Sequence, residues 1–218
     1  GRFKGETTVG INMLNGSVEQ DKLFSPGDRA LVVVSFSEDG ITNVTMIDHD
    51  RMGAEALLAL LFAALLILFA GRTGIRAILS FVLTILMLWK VLVPLYLKGF
   101  NPILIGLAIT LGLTILIISL VYGFDRRSLS AVSGASLGVL VTCLLGAAFT
   151  DLFKIHGAVM QSSESLLYAG YQDLNLTRIF MASIFIGASG AVMDLSVDIT
   201  SAVNEVVEKR PDNGWREA

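Results

Sequence analysis

Long apolar runs, separated by short polar breaks, make up most of the chain from residue 54 onward. Each run approaches the length of about 20 apolar residues that a helix needs to cross the hydrocarbon core of a bilayer. The pattern therefore predicts a mainly α membrane protein, in which residues 54–218 form a polytopic helical bundle with five spans. The predicted spans lie near residues 54–71, 77–97, 102–124, 129–149 and 179–198.

The first fifty residues are more polar and contain short β-prone runs. Residues 31–36 and 41–47 predict two strands joined by a turn at 37–40, and residues 7–14 predict an earlier strand. Three strands bury too little surface for a secure independent core. Residues 1–50 are thus interpreted as a short β-rich segment, and we expect the chain to be a fragment of a longer protein.

Basic residues are concentrated in alternate connections between the spans, which predicts how the chain is threaded. Cytoplasmic loops of membrane proteins are enriched in lysine and arginine. This favours an extracytoplasmic segment 1–50, an outer loop at 150–177 and a cytoplasmic tail at 203–218. The residues predicted to lie inside are Arg72, Arg76, Arg126, Arg127, Lys209 and Arg210.

The predicted outer loop, residues 150–177, mixes apolar and polar positions. It is long for a connection between helices. An interfacial amphipathic helix or a partial re-entrant segment would fit this pattern. Glu164 in this loop is a candidate for handling an ion or a proton.

The composition and the motifs argue against several classes of function. The chain is 54% hydrophobic and 16% charged, with a net charge of −3, which predicts the lipid bilayer as a partner and argues against nucleic acid. The single cysteine, Cys143, allows no intrachain disulfide, and no metal-binding spacing occurs. No phosphate-binding glycine loop is present. We therefore expect no cofactor, no metal and no enzymatic activity.

Two carboxylates close the last apolar run. Asp194 and Asp198 are spaced i and i+4, which places both on one face of a helix. Gly187, Gly190 and Ala191 precede them on the same face. Three interpretations stay open: a helix end at the water interface, an ion- or proton-handling pair, and a structural hydrogen-bonding role.

The fourth predicted span carries a second stripe of small residues. Gly134 and Gly138 form a Gly-x-x-x-Gly pattern, which lets two helix backbones approach closely in a membrane. The same role is predicted for Gly187, Gly190 and Ala191. These stripes indicate a compact bundle, and a homo-oligomer or a membrane partner is a further expectation.

The run from Gly187 to Asp194, followed by Ser196, Ile199 and residues 201–202, resembles the signature of the YibE/YibF-like family of bacterial multi-pass membrane proteins. The resemblance extends over nearly the whole chain. It implies a location in the bacterial inner membrane and an extracytoplasmic β-rich segment before the bundle. Asp194 falls on the motif, whereas Asp198 stands where the family has a small or apolar residue. The resemblance implies no defined activity.

Two functions remain. A transporter or permease component would use a carboxylate near the inner end of the last span. The alternative is a non-transporting scaffold or interaction protein, whose outer β-segment binds a partner.

Overall fold

The computed structural model describes residues 5–14, 16, 21–37, 40–160, 163, 166 and 170–209. The chain is mostly helical and separates into two compact units, residues 1–65 and residues 66–218.

The first unit contains a two-stranded antiparallel sheet, which confirms the β-rich start of the chain. Strand β1 (Ala30–Ser37) pairs with β2 (Gly40–His49). The predicted strand at 7–14 is represented by a single parallel bridge, in which the Ile11 N–H donates to the Val44 carbonyl at 2.8 Å. Val44 is the buried residue of this sheet, and most other side chains are exposed or half-buried. So small a sheet stabilises little by burial.

In the described part of the chain, four helical segments are long and apolar enough to cross a membrane, whereas five were predicted. The first is a run of 46 residues, Met52–Leu97, which takes in both of the first two predicted spans. It comprises α1 (Met52–Met87), a π-helical turn (Leu88–Leu92) and α2 (Val93–Leu97). The described residues thus contain four such segments, and the first of them holds two helices that meet at a kink.

The reason lies in the short link between those two predicted spans. At Gly71 the backbone adopts φ 55° and ψ −124°, and two helices join there across a kink. A side chain at Gly74 would place its Cβ 2.4 Å from the Leu66 carbonyl oxygen, so only glycine fits. The link bends the helix sharply but provides too few residues for a separate loop.

Three long helices form the packed core of the second unit: α3 (Pro102–Tyr122), α4 (Arg126–Leu152) and α5 (Leu176–Lys209). One buried cluster centres on Leu113, Ala182 and Phe185. A second cluster, of Ile118, Ala131, Ala135 and Val197, lies nearer the start of α4. Small side chains recur in both clusters because close helix packing in a membrane depends on them.

Polar residues define where α3 and α4 begin. The Asn101 side chain accepts a hydrogen bond from the Ile103 N–H at 3.1 Å, and Pro102 follows as the first helical residue. The Asp125 carboxylate accepts from the Ser128 N–H at 2.9 Å in the same way. Such caps satisfy amide groups that have no partner within the helix.

The segment between α4 and α5 corresponds to the predicted outer loop. It includes a short 3-10 turn, Gly157–Val159, in which Gly157 packs tightly against the backbone of Leu176. The predicted amphipathic stretch, including Glu164, lies largely outside the described residues. The end of the predicted tail, residues 210–218, also lies outside them.

Candidate functional site

The two candidate carboxylates, Asp194 and Asp198, lie on α5 and are both exposed. Ser196 between them contacts α4, and residues two positions apart on a helix point to nearly opposite sides. Both carboxylates therefore point away from the contact with α4. Among the described residues, no cation or hydrogen-bond donor pairs with either side chain.

Gly187, Gly190 and Ala191 lie on the same side of α5 and are also exposed. An added Cβ at Gly187 or Gly190 would meet no described atom within 4 Å. We call Gly187, Gly190, Ala191, Asp194 and Asp198 the acidic face of α5. In this structure it is a continuous helix surface without a neighbour from the described residues.

Gly134 and Gly138 of α4, in contrast, lie against α5. A Cβ at Gly138 would lie 2.5 Å from Val192 Cγ1, far inside van der Waals contact. A Cβ at Gly134 would lie 3.6 Å from the Ser196 hydroxyl oxygen, an ordinary contact distance. Gly138 thus permits a close approach of α4 and α5, and Gly134 lies further along the same contact.

These two contacts establish the register between the antiparallel helices. Gly138 lies beside Val192 and Gly134 beside Ser196, which places Asp194 level with Ser136. Ser136 is about ten residues beyond Arg126, or about 15 Å along α4 at 1.5 Å per residue. By the same count Asp198 is about 9 Å from that end. Asp194 is thus displaced from the charged end of the bundle by about half the thickness of a hydrocarbon core.

A charged cluster occupies the end of the bundle where α3 ends and α4 begins. The Arg127 guanidinium donates a hydrogen bond to the Glu208 carboxylate on α5. One turn of α5 away, Lys209 Nζ lies 2.5 Å from Glu205 Oε1. The link between Arg127 and Glu208 connects α4 to α5 beyond the apolar core.

Asp125 belongs to this cluster and caps the start of α4. The hydrogen bond from the Ser128 N–H to the Asp125 carboxylate lowers the pKa of that carboxyl group, and Arg127 lowers it further. A cavity of about 140 Å³ opens beside Asp125. Its lining residues are Ile118, Tyr122, Asp125, Arg127, Ser128, Ala131, Val197, Thr200 and Ser201.

The sequence predicted ion- or proton-handling candidates on the acidic face and at Glu164, and it did not indicate this charged cluster. A usable signal was present, since an aspartate shortly before an apolar helical run, as at Asp125, is a preferred N-cap residue. The partner of Arg127, Glu208, lies 81 positions further along and has no such signal. Within the described residues, no group of three His, Cys, Asp or Glu side chains could hold a metal ion.

The apolar helices and the carboxylates along α5 define a helical membrane protein with charged groups at one end of its bundle. Residues 58–218 match the family described as YibE/F-like protein, and the chain belongs to that family. The family match confirms the resemblance inferred from the signature around Asp194. Comparison with curated proteins and comparison with solved structures gave no match.

Proposed function

We propose that the chain is a component of a membrane transport system, in which the acidic face of α5 handles a proton or a cation. The observation that carries this proposal is the position of Asp194, an exposed carboxylate about 15 Å along the bundle from Arg126. Ionisable residues within membrane segments are costly and mark ion paths more often than other positions do. The proposal assigns no catalytic step to the chain.

The position of Asp194 also indicates that the acidic face is covered by a neighbouring helix or by water in the membrane. A carboxylate that faces lipid within a bilayer costs up to about 2.5–3.5 kcal/mol on insertion scales, with the largest cost at the centre. A neighbouring helix or a water-filled path would remove that cost. Glycine and alanine beside the carboxylates would permit a close approach of that helix. We propose that a second copy or a membrane partner provides the cover.

We further propose that Met52–Leu97 crosses the membrane twice, giving five crossings. At 1.5 Å per residue a helical run of this length would measure about 69 Å, more than twice the hydrocarbon thickness. The kink at Gly71 lies beside Arg72 and Arg76. Basic residues at this point fit a turn between two spans at the cytoplasmic surface. With Arg126 and Arg127 on that side, the sheet is extracytoplasmic in a bacterial inner membrane.

Flux through proteoliposomes tests the transport proposal. The full chain would be reconstituted, and proton, Na⁺ and K⁺ fluxes would be measured for the wild type, Asp194→Asn and Asp151→Asn. Asp151 is an exposed aspartate at the other end of α4 and provides a charge-matched control. We expect flux in the wild type and the control, and its loss in Asp194→Asn. Absence of flux in the wild type, or full flux in Asp194→Asn, would contradict the proposal.

A second candidate, an interaction protein, is favoured by the sheet of the first unit. Several of its apolar side chains are about half exposed. They are Leu31, Val33, Phe36 and Ile47. Exposed apolar surface of this kind is typical of a protein contact. Deletion of residues 1–48 would then release a co-purifying protein, whereas Asp194→Asn would retain it.

A further inference from the structure

A second, larger cavity lies between the first turn of α4 and the last turns of α5. Its volume is about 310 Å³, and we call it the end cleft. From α4 it is lined by Arg126, Arg127 and Ser130. From α5 it is lined by the apolar Ile199, Val203 and Val207 and by the polar Thr200 and Asn204. No carboxylate is among its lining residues, in contrast to the smaller cavity beside Asp125.

The two arginines of the end cleft differ in their partners. Arg127 donates to Glu208, which neutralises much of its charge. Arg126 is exposed, and among the described residues no carboxylate lies within ion-pair distance of its side chain. A guanidinium presents paired N–H groups that match two oxygens of a phosphate. The half-buried Asn204, which lines the same cleft from α5, adds amide donors.

An exposed apolar strip leads from the end cleft along α5. Its side chains are Leu195, Ile199 and Val203, spaced four residues apart and exposed by 62%, 61% and 41%. Residues at this spacing form one line on a helix surface. From Val203 to Leu195 the strip extends about 12 Å towards the middle of the membrane. A basic pocket that continues into an apolar strip matches a molecule with a charged head and a hydrocarbon tail.

We propose that the end cleft binds the phosphate headgroup of an anionic phospholipid, with one acyl chain along Leu195 and Ile199. Arg126 binds the phosphate, and Asn204 donates to its oxygens. Basic pockets between membrane helices bind anionic headgroups in this way. The proposal rests on the position of α4 and α5 in a membrane, and it does not depend on transport.

Thermal unfolding of the purified full chain in detergent tests the assignment. Dimyristoyl phosphatidylglycerol would be titrated into the wild type, Arg126→Gln and Arg76→Gln, with phosphatidylcholine and inorganic phosphate as parallel titrations. Arg76 is also exposed, so its variant loses the same charge outside the cleft. We expect phosphatidylglycerol to raise Tm in the wild type and in Arg76→Gln. In Arg126→Gln about tenfold more lipid would be needed, as for loss of one charge-assisted hydrogen bond.

Three results would overturn the proposal. Phosphatidylcholine could raise Tm as much as phosphatidylglycerol does, which would exclude recognition of a net negative charge. Inorganic phosphate alone could reproduce the shift, which would identify a free anion as the ligand. Arg76→Gln could weaken the response as much as Arg126→Gln, which would indicate a diffuse charge effect.

A second measurement remains informative if a substitution lowers the Tm of the lipid-free protein. Native mass spectrometry would count phosphatidylglycerol molecules retained by each folded variant. We expect one fewer retained lipid for Arg126→Gln than for the wild type and Arg76→Gln. Equal numbers in all three would overturn the assignment of the end cleft.

Discussion

Gly134 and Gly138 of α4 and Gly187 and Gly190 of α5 have similar spacing in the sequence and different surroundings in the structure. Gly138 lies against Val192, so closely that a Cβ would overlap its side chain. Gly187 and Gly190 face open space in the described part of the chain. Spacing therefore identifies a helix surface that can be approached closely, but the partner decides whether the approach occurs. On α5 the open surface is also the one that carries Asp194 and Asp198.

The largest expected effect comes from replacing one glycine of each helix with isoleucine, in two separate variants. Gly138→Ile should lower the free energy of unfolding by about 1–3 kcal/mol, since the stiff branched side chain must displace Val192. Gly187→Ile should change it by less than about 0.5 kcal/mol in detergent-solubilised monomer. Denaturant titration of both purified variants measures the difference. Equal losses would show that the α5 stripe is packed within the monomer.

A double-mutant cycle sharpens the same contact. Gly138→Ala places its Cβ against Val192, and Val192→Ala removes the overlapping methyl groups. We expect the double variant to be more stable than the sum of the single changes predicts, by about 0.5–3 kcal/mol. The same cycle between Gly187 and Val192 provides the control and should be additive. Additivity in both cycles would contradict a direct contact between Gly138 and Val192.

The variant Gly134→Ala tests whether α4 has room for a Cβ at Gly134, in contrast to Gly138. Its Cβ would lie 3.6 Å from the Ser196 oxygen, which is normal contact. Alanine is also the better helix former, so stability should stay level or rise by up to about 1 kcal/mol. Gly138→Ala, measured beside it, should lose stability. A loss at Gly134 equal to that at Gly138 would place the two helices closer than the structure does.

The smallest expected effect concerns the start of α4, where the contact with α5 begins. Because hydrogen bonds lower the pKa of Asp125 in the folded protein, its contribution to stability is fully present above the unfolded value of about 3.9. That contribution disappears as pH falls through the lower folded pKa. Unfolding measured from pH 7 to pH 2 should show this loss in the wild type. Asp125→Ala should lack it, and Ser128→Ala, which keeps the backbone N–H, should retain part of it.

Hydrophobic periodicity was sufficient to predict the helical class, the two strands and most of the apolar segments. These features depend on local composition, which determines whether a segment prefers lipid and which secondary structure it forms. The start of α4 was also readable, because Asp125 and Ser128 are near neighbours in sequence.

The face of α5 that packs could not be read in this way. Val192 and Ser196 on one side, and Gly187 and Ala191 on the other, are all small or apolar enough to pack. The choice between them depends on contacts with α4, which are distant in sequence. The joining of the first two predicted spans into one segment could not be predicted for a related reason, because hydropathy does not distinguish the bend at Gly71 from a loop. Glu164 lies outside the described residues, and its role remains a prediction.

The most direct test of the account compares folding and flux in one variant. Asp194→Asn removes the charge from the face that has no described neighbour, and it leaves the packed face of Val192 and Ser196 intact. We predict an unchanged Tm in detergent together with loss of cation or proton flux in proteoliposomes. Wild-type flux in Asp194→Asn at an unchanged Tm would contradict the central claim that the acidic face of α5 carries the function.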